Sequence, residues 1–133
     1  MAGQLTIDTL KASSGVLATQ NGMSGIAKAW VNFAGASGTI NGSFNVSSVT
    51  RNSTGNYTVT FTTAMPNANY STVGTTHNYN SNDGAPLIAT VSGVSSSPQT
   101  TASVRMASTT AWVSGLYSGS NVDCTQFNVA VFA

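Results

Sequence analysis

The chain has 133 residues, of which 5% are charged, and its formal net charge is +1 at neutral pH. The length suits a single domain. The scarcity of lysine and arginine excludes a groove for nucleic acid, because neutralising phosphates requires clustered cations. No apolar run approaches the roughly 18 residues that a membrane-spanning helix needs. We therefore expect neither a nucleic-acid partner nor a membrane partner.

Residues 1–22 predict an extended N-terminal arm. The segment QLTIDTL is briefly strand-like, whereas KASSGVLATQNG has no period and few bulky groups. An arm of this kind can add a strand to the edge of a neighbouring sheet, and the alternative is a frayed terminus that packs on nothing. We favour the arm because several of its residues are too apolar for an indifferent tail. These predicted partner contacts are Leu5, Ile7, Leu10, Val16 and Leu17.

Residues 23–133 predict one β domain. In IAKAWVNF, the residues Ala27, Ala29, Val31 and Phe33 share one face, and Lys28, Trp30 and Asn32 share the other. A second alternating strand is predicted over 40–47. The loop RNSTGN then joins it to GNYTVTF, in which large apolar residues alternate with threonine, so that the two runs predict a hairpin.

Five further strands are predicted, separated by segments rich in turn-forming residues. They cover 69–76, 87–91, 101–106, 111–113 and 125–132. No stretch keeps apolar residues at the three-and-four spacing of an amphipathic helix. The predicted fold is therefore all-β, a single antiparallel β-sandwich of jelly-roll type with an extended N-terminal arm.

The residues that usually carry catalysis are few. His77 is the only histidine and lies in a polar stretch, so we expect a solvated loop residue. Cys124, the only cysteine, is predicted to be a buried small hydrophobe that starts the last strand. The acids are Asp8, Asp83 and Asp123, of which only the last two offer even a weak candidate pair for glycoside hydrolysis. We expect no enzyme activity, no metal site and no cofactor.

The aromatic residues offer a second kind of site, since exposed rings can stack on sugars. Trp30 and Trp112 lie in strand-like runs, where a large ring more often fills a sandwich core or a subunit interface. Tyr70 is a further ring within a predicted strand. Tyr79 and Tyr117, in turn-rich loops, are the better candidates for carbohydrate contact, and the alternative for both is an ordinary loop tyrosine.

Two segments also carry a resemblance to a known group of proteins. AKAWVNFAG, followed by GSFNVSSVTRNSTGNYTVTFTTAMPNANYS, resembles a β-rich module of virion proteins from tailed bacteriophages, particularly phages of cyanobacteria and marine bacteria. The resemblance covers roughly residues 23–76. Members of the group are tail-fibre-like proteins or capsid decoration (cement) proteins, and both kinds generally act as trimers. The resemblance thus implies a part of a virion.

Within that group, a short arm and one sandwich suit a shell protein better than a fibre with a long shaft. We expect a homotrimer on the outer surface of the capsid that stabilises the shell by binding across subunits of the major capsid protein. The alternative is a tail-fibre or tail-associated receptor-binding module that recognises host surface carbohydrate through the loops 76–85 and 114–122. Enzymatic degradation of polysaccharide ranks below both.

Overall fold

The computed structural model describes residues 26–77, 87–91, 98–110 and 120–133. These residues form eight β-strands and no helix, so none of them forms a helix that could cross a membrane. The strands are β1 Ala29–Phe33, β2 Ile40–Phe44, β3 Val46–Ser53, β4 Asn56–Phe61, β5 Ser71–His77, β6 Leu87–Val91, β7 Ser103–Thr110 and β8 Gln126–Phe132. The all-β prediction is confirmed.

The strands make two antiparallel sheets of four strands each. Sheet A has the order β2-β1-β8-β5, and sheet B has the order β3-β4-β7-β6. Three pairs of consecutive strands, β1 with β2, β3 with β4 and β6 with β7, are neighbours within one sheet. The predicted hairpin is confirmed only in part: GNYTVTF pairs with β3, but β3 includes residues 51–53 of the predicted loop, and most of the predicted partner 40–47 is β2, which pairs with β1. The β3–β4 turn contains Gly55, whose φ of 65° a residue with a side chain rarely adopts.

The core lies between the two sheets and is built by period-two alternation. Along β1 and β4 the apolar residues alternate inward, as predicted. Three rings meet at the centre: Phe33 and Phe127 stack with centroids 5.3 Å apart, and Tyr57 meets each of them edge-on. Because both sheets supply buried side chains to one cluster, the structure confirms the antiparallel sandwich.

The predicted strand over 40–47 is wrong in one respect, because it turns a corner. β2 belongs to sheet A and β3 to sheet B, and Asn45 alone joins them. Asn45 has a φ of 54°, in the left-handed region that asparagine tolerates better than most residues. Its side chain donates to the carbonyl oxygens of Lys28 and Thr63 and accepts from the Thr63 amide at 2.7 Å. These bonds hold the chain as it passes between the sheets.

The other strand predictions hold within a few residues of their boundaries. β6 coincides with the predicted 87–91, and β5, β7 and β8 overlap their predicted ranges. Lys28 is a correction: it was predicted on the face opposite the inward-pointing residues, and it is buried. Its carbonyl oxygen accepts from the Asn45 side chain at the corner. The predicted strand 111–113 and the arm 1–22 lie outside the described residues.

Candidate functional site

The outer face of sheet A carries an ordered row of polar side chains that crosses all four strands. Asn41 in β2 donates its amide to the Asn32 oxygen in β1 at 2.8 Å, and Asn32 donates to the Asn128 oxygen in β8 at 2.5 Å. Asn128 in turn donates to the Thr75 hydroxyl in β5 at 3.3 Å. We call these four residues the amide row. Each bond fixes the plane of the next side chain.

The amide row keeps unused hydrogen-bonding capacity. A primary amide has two N–H donors and an oxygen that accepts two hydrogen bonds. Within the described residues, Asn32 and Asn128 each use one N–H and one acceptor site along the row. One donor and one acceptor therefore remain on each side chain for a molecule that sits on the face.

A second, apolar row runs beside the amide row, two residues away along the strands. Register places Phe44, Trp30, Ala130 and Val73 opposite one another across β2, β1, β8 and β5. Trp30 is 44% exposed and Val73 is 55% exposed. The Trp30 ring lies over Gly42, where an added Cβ would meet the ring at 3.5 Å. The indole thus extends over β2, at ordinary contact distance from position 42.

Between Trp30 and Val73 lies an open groove of 370 Å³. Its floor is Ala130 and the strand backbone, and Asn32, Thr75 and Asn128 close one end. No residue in its described lining carries a charge. Exposed His77 lies further along β5, paired in register with Gln126. The face thus has an apolar half and a neutral, hydrogen-bonding half.

Trp30 lies on the face that alternation predicted, but its ring is not in the sandwich core. The alternation of β1 had placed it opposite the core-facing residues, and the burial pattern of the strand agrees. Of the two predicted packing environments, the sandwich core is wrong, because the ring lies on the outer face, and the subunit interface stays a prediction. Tyr70 is the reverse case: it is buried, and its hydroxyl donates to the carbonyl oxygens of Thr100 and Ser103. Tyr70 is therefore not available to stack on a ligand.

A second polar cluster surrounds Asp123. Its carboxylate accepts from the Arg51 guanidinium at 2.6 Å, from the Gly55 amide at 2.8 Å and from the Tyr57 hydroxyl at 3.0 Å. The hydrogen bond from Arg51 holds the pKa of Asp123 below its usual range. Burial and the bond to Asp123 raise the pKa of Tyr57. The cluster fastens the segment before β8 to the β3–β4 turn.

This arrangement gives Asp123 a structural role. Its oxygens already accept from three partners, and its low pKa makes it a poor proton donor near neutral pH. Asp8 and Asp83 lie outside the described residues, so the proposed acid pair of Asp83 and Asp123 stays a prediction. Among the described residues, no three histidine, cysteine, aspartate or glutamate side chains cluster as metal ligands would.

Cys124 and His77 occupy the environments that were expected of them, with one change each. Cys124 is buried, as predicted, but it lies two residues before β8 and does not start that strand. Burial raises the pKa of its thiol. Gly35 packs directly against its backbone. His77 is exposed, as predicted, but it ends strand β5 and is not in a loop.

Several predicted contact residues cannot be placed. The arm residues Leu5, Ile7, Leu10, Val16 and Leu17 and the aromatic residues Tyr79, Trp112 and Tyr117 all lie outside the described residues. The amide row was missed by the sequence analysis. Alternation alone places Asn32 on the outer face, but Asn128 is 96 residues away in sequence and becomes its neighbour only through the strand order.

Comparison of the chain with models of protein families gives no match. Comparisons with curated proteins and with solved structures likewise give none.

Proposed function

We propose that this chain is a structural protein of a tailed-bacteriophage virion. In this proposal it is a homotrimer on the outer capsid surface that stabilises the shell by binding across subunits of the major capsid protein. The proposal starts from the resemblance of residues 23–76 to phage virion modules. The physical observation that carries it furthest is the character of the sheet edges.

The described strands leave four edges, β2 and β5 in sheet A and β3 and β6 in sheet B. Soluble proteins usually protect an edge strand with a charge, a proline or a bulge, because its free N–H and C=O groups invite another strand. The sequences of β2, β5 and β6 are INGSF, STVGTTH and LIATV, without lysine, arginine, acid or proline. Of these three, β2 has an irregularity at Asn41 where it pairs with β1, whereas β5 is the longest and pairs with β8 in unbroken register.

Such edges suit an adhesive protein that is covered by neighbours in its working state. A strand added to β5 would form main-chain hydrogen bonds without displacing charged side chains. The arm 1–22 is the proposed strand donor, and Leu5, Ile7, Leu10, Val16 and Leu17 are the proposed apolar contacts. A stable contact of this kind buries roughly 800 Å² on each partner. Low charge also reduces the desolvation cost when the faces meet.

Particles that lack this protein test the role. They should rupture at lower temperature and on milder osmotic shock than complete particles, while many copies of the protein should coat the complete shell. Equal survival of the two kinds of particle would remove the cement role. A few copies confined to the tail would assign the protein to a fibre, which is the alternative location.

The edge argument has its own test in the full-length chain. Ser43→Lys places a charge on the exposed edge strand β2, and Thr60→Lys places the same charge on the central strand β4. Ser71→Lys places a charge on the other edge strand of sheet A, at the start of β5. If an edge mediates assembly, an edge variant should lose trimers or capsid binding in sedimentation assays, and Thr60→Lys should not. Assembly that survives both edge substitutions would contradict the mechanism.

The jelly-roll type of the sandwich belongs to the proposal as well. A jelly roll contains two Greek keys, in which strands connect across the two sheets. Of the seven connections between consecutive described strands, four cross between the sheets, namely those that follow β2, β4, β5 and β7, whereas three consecutive pairs stay within one sheet. An experimental structure of the full chain, including residues 78–86 and 111–119, would decide the assignment.

A further inference from the structure

We propose that the groove on the outer face of sheet A binds the ring of a neutral pyranose sugar. The site consists of Trp30, Val73 and Ala130 on the apolar side, and of Asn32, Thr75 and Asn128 on the amide side. It differs from the loop tyrosines considered above, and it does not depend on the virion assignment.

The apolar side matches the flat face of a sugar. A pyranose carries its C–H groups on the ring faces and its hydroxyls around the edge, so one face can rest on an aromatic ring. Trp30 is exposed and supported over Gly42, and Val73 stands on the opposite side of the groove. Ala130, between them in register, is small enough to leave the floor open. A small-molecule site usually consists of an apolar wall with a small number of well-placed polar groups beside it.

The amide side matches the ring edge. The amide row lies two residues along the strand from Trp30, a distance of about 6.7 Å, so a ring that rests against the indole brings its edge to the row. A sugar hydroxyl both donates and accepts, and Asn32 and Asn128 each have one N–H and one acceptor site left. Because the row fixes both amides before the ligand arrives, binding costs less side-chain entropy.

The charge and the size of the groove select the ligand class. Its described lining holds no charged side chain, so it offers no counterion to a phosphate, a carboxylate or an amine. An amphipathic helix or another apolar segment would leave the amide half facing hydrocarbon without partners, which is unfavourable. The volume of 370 Å³ is at the small end of ligand sites, as a single ring requires.

The test uses the full-length protein and four probes: the methyl pyranosides of glucose, galactose, mannose and N-acetylglucosamine. Titration calorimetry and saturation-transfer NMR should detect at least one of them, with a dissociation constant on the order of 1 mM for a ligand of this size. Trp30→Ala should weaken that binding at least about tenfold. Asn128→Ala should weaken it roughly three- to tenfold, since it removes one amide and breaks the row. Melting curves verify that each variant is folded.

Ile88→Ala is the matched control. Ile88 is 47% exposed on β6 of sheet B, so its truncation removes a comparable exposed apolar side chain from the other sheet. It should leave the affinity unchanged.

Three outcomes would overturn the proposal. The first is that none of the four glycosides shows binding even when its concentration reaches about a hundred times the expected dissociation constant. The second is that a glycoside binds the Trp30→Ala variant as well as it binds the original protein, which would place the site elsewhere. The third is that Trp30→Ala dissociates an oligomer while no sugar binds, which would make this face a subunit interface.

Discussion

Removal of the Asp123 carboxylate should destabilise the fold by about 3 kcal/mol. In the Asp123→Ala variant the hydroxyl of Tyr57, whose side chain is fully buried, loses its acceptor, and the Gly55 amide loses a charged acceptor. An unsatisfied buried polar group costs about 1–3 kcal/mol, and a hydrogen bond to a charged group contributes about 1.5–3 kcal/mol. For a chain of this length, 3 kcal/mol corresponds to a fall in melting temperature of about 12 °C.

Asp123→Asn separates the two halves of the cluster. An asparagine oxygen in place of Oδ1 still accepts from Gly55 and Tyr57, whereas its NH₂ group faces the Arg51 guanidinium, donor against donor. The asparagine variant should therefore lose less stability than the alanine variant. Urea denaturation followed by fluorescence, together with differential scanning calorimetry, measures both losses.

The effect should also depend on pH with a defined sign. The pKa of Asp123 is lower in the folded state than in the unfolded chain, where it is about 3.9. Its contribution to stability is fully present above the unfolded pKa and is lost as the pH falls through the folded pKa. The stability difference between the original protein and Asp123→Ala should thus be constant near neutral pH and shrink below about pH 4. A difference under about 0.5 kcal/mol at pH 7, the range of an ordinary surface substitution, would refute the structural role of the cluster.

Three further predictions concern packing and the corner between the sheets. Gly35→Ala should destabilise the fold by more than about 2 kcal/mol in urea denaturation, because the new Cβ would meet the Cys124 carbonyl oxygen inside contact distance and the Cys124 nitrogen and Sγ at 2.9 Å; a neutral result would contradict this packing. Asn45→Gly should lower the free energy of unfolding by about 1–2 kcal/mol, because the side-chain hydrogen bonds are lost. Asn45→Ala should lower it by about 1 kcal/mol more, because alanine tolerates the positive φ poorly. Equal losses of stability in the two variants would argue against the left-handed corner. The Cys124 thiol should react with a disulfide reagent at pH 8 only when the protein unfolds, because it is buried and its pKa is raised, and rapid labelling of the folded protein would contradict its burial.

The sequence predicts where the strands lie in the chain better than it predicts which strands they pair with. Alternation is local, so β1, β4 and β6 were located and the inner faces of β1 and β4 were identified from residues that adjoin in the chain. The corner at Asn45 interrupts a run whose alternation does not change, and only the φ of one residue marks it. Lys28, directly before β1, is buried although alternation places it opposite the core-facing residues, so its burial does not follow from the local pattern.

The candidate site shows the same limit more sharply. The alternation in β1 already placed Trp30 on the face opposite the core, so the local pattern argued against the core alternative that the general preference of large rings had suggested. The amide row could not be predicted at all, because its members come from four strands and their contacts depend on the order β2-β1-β8-β5. Strand order is a property of the whole fold.

The two proposals share the strand β5 but use different groups of it: a docking strand would bind its backbone edge, whereas the sugar groove uses the Val73 and Thr75 side chains. A strand binds at an edge through backbone N–H and C=O groups that lie in the plane of the sheet, whereas a ligand on the face contacts side chains that stand roughly perpendicular to it. Assembly through β5 would therefore leave Trp30 and Asn32 in β1 uncovered, since β8 lies between these strands. If assembly uses the edge strand β2, Ser43→Lys should impair it without loss of sugar binding, because Ser43 pairs with the core-facing Val31 and lies away from the groove. Asn128→Ala should weaken sugar binding and leave assembly intact. Variants that lose both functions together would show that one surface serves both, and the separation argued here would be wrong.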